Sequence, residues 1–248
     1  MFSHQQLIQA IAITLAIAAC AHHRTASDIQ PFDLIYQYPV VIPVNNKLNY
    51  LTLLDTLHVF IQNDCTIYQL QRSRNLQNEK LPDTETYFVY RHNEPTGYLY
   101  TASLDTFARL PADSLLKARA FQGLHFEPQP FDRFLSKTVE RDLTIEKYFT
   151  NHKGAPSHVY DSTYFYYRKS LKTPYSLSKK MDSISSGRLC KVAMIFNETY
   201  DPESKELVRK RVLSFEVQDA TAQIPEKIKR LFANFREKRR LDVDSEKK

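Results

Sequence analysis

Two stretches near the C-terminus decide how the chain folds: RLCKVAMIFN (188–197) and ELVRKRVLSFEV (206–217). Both are rich in β-branched and aromatic residues, too short for independent helices, and joined by a segment containing Asp201-Pro202-Glu203-Ser204, whose proline at the second position suits a type I turn. They predict a long antiparallel hairpin. Immediately upstream, residues 159–168 place Tyr160, Tyr164 and Tyr166 on one side and Phe165 and Tyr167 on the other, an alternation that adds a strand. Further towards the N-terminus, residues 57–61 and 65–70 flank Gln62-Asn63-Asp64, and residues 86–92 and 98–103 flank a loop with both Pro95 and Gly97, which gives two more hairpins. Residues 40–44 form a β-branched run bounded by Pro39 and Pro43, which confine it to an edge.

Helical signals interrupt this pattern. Asp113 stands where an N-cap would precede residues 114–121, and Phe131, Phe134, Leu135, Val139, Leu143 and Ile145 trace an apolar stripe that predicts a helix over 131–149. Pro225 opens a last helix in which Ile228, Leu231, Phe232 and Phe235 fall at i, i+3, i+4 and i+7. The expected class is therefore α+β: a twisted antiparallel sheet with interrupting helices and a C-terminal amphipathic helix.

The N-terminus carries an address. Residues 7–21 are apolar apart from Gln9, Thr14 and Cys20, too short to cross a bilayer comfortably and of the length of a signal-peptide core. Its end, Ile17-Ala18-Ala19-Cys20, resembles the lipobox of bacterial lipoproteins. That resemblance implies that residues 1–19 are a removed signal peptide and that Cys20 carries a lipid. Residues 20–38 would then be the lipidated cysteine and tether, 39–241 one domain, and 242–248 a charged tail. It also implies a place in the bacterial cell envelope, with the domain in the periplasm or at the cell surface.

Composition narrows the chemistry. The four glycines, Gly97, Gly123, Gly154 and Gly187, are too far apart to build a dinucleotide-binding G-x-G-x-x-G, a P-loop or a G-x-S-x-G elbow. No pattern calls for a cofactor. The net charge of +6 is concentrated over residues 226–240, where seven basic residues meet two acidic ones, so Lys229, Arg236 and Arg239 form a basic face suited to phosphate or acidic lipid. With Cys20 lipidated, Cys65 and Cys190 are the pair left to form a disulfide in an oxidising compartment. Buried free thiols are the other reading. His152, His158 and Asp161 could be gathered by a loop as metal ligands, and His92 with Glu94 is an i, i+2 pair of acid–base type. Ser176-Leu177-Ser178-Lys179 fits S-x-x-K but reads as a helix start. Asp55-Thr56-Leu57, Asp113-Ser114-Leu115, Asp161-Ser162-Thr163 and Asp182-Ser183-Ile184 resemble the O-glycosylation acceptor motif of envelope proteins in the Bacteroidota, which implies hydroxyls in exposed turns.

These features point to an envelope lipoprotein that acts as a non-catalytic binding or assembly module, its partners the membrane, through the lipid, and another envelope protein. The alternatives are an envelope hydrolase built on His152, His158 and Asp161, and, if the N-terminus is no signal, a cytoplasmic nucleic-acid binder using the basic helix.

Overall fold

The computed structural model describes residues 28–45, 47–70, 85–92, 94–119, 124, 126–153, 159–201, 205–221 and 223–246. Two antiparallel meanders lie edge to edge in one sheet of eleven strands. The first runs through β1 (Gln30–Val44), β2 (Lys47–Gln62), β3 (Cys65–Leu70), β4 (Thr86–Arg91), β5 (Thr96–Tyr100) and β6 (Thr106–Pro111). The second comprises β7 (Asp132–Glu140), β8 (Leu143–Thr150), β9 (Ser162–Arg168), β10 (Arg188–Phe196) and β13 (Arg211–Asp219). Strand β13 returns to pair with β1, from Phe32 opposite Asp219 to Gln37 opposite Ser214, so the first and last strands form the seam. Beyond Gln37 only β2 accompanies β1, which is where Pro39 and Pro43 can sit without costing a ladder bond. A small separate sheet, β11 (Thr199–Asp201) with β12 (Glu206–Val208), docks on that projecting hairpin. There the Tyr50 hydroxyl donates to Leu207 O and accepts from Arg209 N, both at 3.1 Å.

The class is therefore predominantly β rather than α+β, with strand far outweighing helix among the described residues. The described helices are α1 (Ala112–Arg119), α2 (Lys179–Ile184) and α3 (Glu226–Glu246), all peripheral to the sheet. The main correction falls on residues 131–149, which form the β7–β8 hairpin and not a helix. Its buried positions on β8 include Thr144, Glu146 and Thr150, so polar residues face inward and the alternation expected of a strand is masked. Arg141, with φ 49°, helps to make the tight turn between the two strands. Within the segment expected to be a tether, β1 begins at Gln30 and buries Phe32 and Leu34. Likewise, helix continues into the expected tail as far as Glu246.

Each face of the sheet has its own apolar cluster. On one face Phe32, Leu34, Val59, Tyr68, Phe88, Phe165, Tyr167 and Val192 pack beneath Ala112, Leu116, Phe126, Leu171, Leu177 and Met181. On the other face, Phe60, Ile67, Tyr87, Val89 and Tyr100 are covered by Ile228, Leu231, Phe232 and Phe235 of α3. Strands β3 and β4 are covered on both sides, and their inner residues are buried without alternation. Strand β9 is covered on one side and alternates perfectly: Thr163, Phe165 and Tyr167 are buried and their neighbours are not.

Candidate functional site

A cleft of about 790 Å³ opens where four separated segments converge. Its floor is laid by β3 and β4. Thr66 and Tyr68 alternate along one strand, and Phe88, Tyr90 and His92 along the other, which brings their side chains to one face. Their rings form a row: Phe88 to Tyr90 at 6.0 Å, Tyr90 to Tyr68 at 6.0 Å, and Tyr90 to His92 at 5.7 Å. His92 ends the row at the exposed rim, its Nε2 2.8 Å from Thr66 Oγ1. Glu94 and Pro95 continue the rim, and Ala112, Asp113 and Leu116 of α1 make one wall. The helix is placed by its first residue, since Ala112 N donates to Pro95 O at 2.8 Å.

The opposite wall is the segment from Pro174 to Lys179. Asp219 holds its start by accepting from the main-chain nitrogens of Lys172 and Thr173, and Leu177 N donates to Leu189 O. Tyr175 stacks on Phe32 at 5.3 Å, and burial pushes its phenol well above the ordinary tyrosine range. The S-x-x-K residues lie here as a helix start: Ser178 caps α2 by accepting from Met181 N, and Ser176 Oγ accepts from Ser178 N. Chemically the cleft combines an apolar floor tipped with hydroxyls, an imidazole, two carboxylates and the ammonium of Lys179. Such a mixture orients a small ligand by a few polar contacts over an apolar base.

The other candidates sit elsewhere. His152 Nε2 lies 3.1 Å from Asp161 Oδ1, but the second carboxylate oxygen accepts from Asn197 N at 2.6 Å, so Asp161 also ties the loop to the end of β10. His158 lies outside the described residues, and among those described no three His, Cys, Asp or Glu are grouped to hold a metal. Neither His152 nor Asp161 lines the cleft. Cys20 and the whole lipobox also lie outside the described residues. Cys65 and Cys190 are both free and buried, one in each apolar cluster, so of the two readings the structure has thiols packed as small hydrophobes and not the disulfide. On α3, Lys229 pairs with Glu226 at 3.1 Å, and Arg236 donates to Gln62. The Arg239 side chain is outside the described set. Of the Ser and Thr residues that follow Asp in the glycosylation-like triplets, Thr56 lies within β2 and the half-buried Ser162 within β9, whereas Ser183 is exposed on α2; the Ser114 side chain lies outside the described residues. No described helix is long and apolar enough to cross a membrane.

A scan against protein-family models finds no match to the chain. A search of curated proteins likewise finds no relative.

Proposed function

We propose that this chain is a lipid-anchored protein of the bacterial envelope whose domain is a binding module, with the cleft between β3–β4, α1 and residues 174–179 as the ligand seat. The observation that carries the reading is the row of rings that ends at His92, in a cleft that Glu94 and Asp113 also line. It suits an uncharged, hydroxyl-bearing ligand: tyrosine and threonine hydroxyls, imidazole and carboxylates all exchange hydrogen bonds with hydroxyl groups, and the apolar floor accepts the ligand's carbon face. Sugars are the envelope ligands of that chemistry. The anchor rests on the lipobox resemblance at Ile17-Ala18-Ala19-Cys20. Two or three acyl chains would hold the domain at the membrane, where one alone holds it only reversibly.

Titration of the full chain with neutral mono- to tetrasaccharides, followed through the His92 ring resonances, tests the seat. Saturable shifts are expected for at least one of them. His92→Ala should then weaken binding by about tenfold, the worth of one well-placed hydrogen bond. No saturable shift with any sugar of the set removes the reading. The anchor is tested separately: Cys20→Ala should abolish lipid labelling and leave the precursor unprocessed.

A further inference from the structure

Strand β7 ends the sheet, and among the described residues no strand pairs with its outer side. All its residues except Asp132 are exposed, with Phe134, Leu135 and Val139 at 56%, 57% and 60%. An unpaired ladder bearing exposed apolar side chains is a template for another strand.

The pairing with β8 fixes which main-chain groups point outward. Glu140 opposes Leu143 across the two-residue turn Arg141-Asp142, so Glu140, Thr138 and Ser136 turn their N–H and C=O towards β8 while Lys137 and Val139 turn theirs to the open side. At the other end Phe131 O accepts from Asn151 N at 2.8 Å, which turns Arg133 towards β8 and Asp132 and Phe134 outward. The register shift between Phe134 and Ser136 accounts for the change of phase. As a result Phe134 and Val139 offer main-chain groups on the same open edge. Opposing Tyr148 and Thr144, they also carry their side chains on the same face.

We propose that β7 pairs antiparallel with β7 of a second copy of this chain, about a two-fold axis at the outward-turned Lys137, with Leu135 and Ser136 of the bulge together facing Thr138 of the other copy. Phe134 then stands opposite Val139 of the other copy, Arg133 opposite Glu140, and Asp132 opposite Arg141, and each pair occurs twice. Phe134–Val139 is a hydrogen-bonded position on one face, and Arg133–Glu140 is the closer, non-hydrogen-bonded position on the other. Aromatic with β-branched and cation with anion are both stabilising cross-strand pairs. A slip of one residue is excluded by the main chain, because it sets an outward-turned residue of one copy against a residue of the other that is turned to β8. The two Lys137 ammoniums that meet at the axis, which would otherwise oppose pairing, are each engaged by Glu146 of their own chain at 2.9 Å.

The test uses the full chain. Arg133→Cys combined with Glu140→Cys should give a reducible covalent dimer on mild oxidation in the producing cells, and each single variant should give no covalent dimer. Within one chain these positions are about 20 Å apart along the strand, too far for an internal bridge. In detergent solution, Arg133→Glu should reduce dimer affinity by about tenfold or more through repulsion at two sites, and adding Glu140→Arg should restore it. The proposal is overturned if the double-cysteine variant cross-links no more than the single ones or gives a product of another mass. It also falls if Arg133→Glu leaves dimerisation unchanged or the reciprocal charge swap fails to restore it.

Discussion

Burial pushes the Cys65 thiol up to about 12, and the carboxylate of Asp64 adds to the effect, so almost no thiolate exists there near neutral pH. Its reactivity in the native protein should accordingly be negligible: a disulfide-exchange reagent is expected to label Cys65 only after denaturant is added, as read by mass spectrometry. Rapid labelling of the native chain would contradict this packing. His58 behaves differently, because it is half-exposed and paired. Its Nδ1 lies 2.7 Å from Asp33 Oδ1, and that hydrogen bond raises the imidazole pKa above its ordinary 6.5, against a smaller opposing effect of burial. A raised folded-state pKa means that the pair stabilises fully below the unfolded value and loses its effect as pH rises through the folded one. With the imidazole 41% exposed, solvent screening limits the contribution to less than about 1 kcal/mol. Asp33→Asn should therefore narrow the difference in Tm between about pH 5.5 and about pH 8.5, and bring the His58 NMR titration back towards about 6.5.

At the scale of elements, Gly97 shows how tightly the strands beneath the cleft are fitted. It lies within β5, although proline and glycine together read as a loop in the sequence, because a Cβ at this position would come 2.4 Å from Phe88 Cζ and 2.8 Å from Tyr90 Cβ. Gly97→Ala must shift the ring row that floors the cleft. A loss of about 1–3 kcal/mol is expected in urea unfolding, the usual cost of overpacking, together with altered ring-current shifts at His92. Strands β3 and β4 were legible because they carry turn residues at their ends and β-branched or aromatic residues within, whereas β6 was not read. Strands β7 and β8 were not, for a physical reason: Glu146 is buried on β8, where it accepts hydrogen bonds from Lys137 at 2.9 Å and from Tyr148 at 3.4 Å, so the inward face reads as polar. The exposed Phe134, Leu135 and Val139 then completed a false helical period. No local propensity could outweigh that pattern; only pairing with β9 does.

For the whole molecule, the cleft was illegible because its walls come from residues near 61–68, 90–95, 112–116 and 174–179, each bland by itself, and His92 with Glu94 was the only fragment visible as a pair. What brings these segments together is the closing of the sheet by β1 and β13. That seam also couples the two faces. In β2, Val59 enters one apolar cluster and its neighbour Phe60 the other, so neither cluster can dissolve while the strand between them stays paired. The two native thiols report on this directly, since Cys190 lies in the first cluster and Cys65 in the second. Phe232, 2% exposed on the inner side of α3, belongs only to the second. Phe232→Ala should cost about 3–5 kcal/mol and lower the urea midpoint by about 1–2 M. If the sheet unfolds as one unit, both thiols become reactive at the same lowered urea concentration, Cys190 as well as Cys65. Cys65 becoming accessible well before Cys190 would instead mean that α3 and its cluster open separately, and that the eleven strands do not form a single cooperative unit.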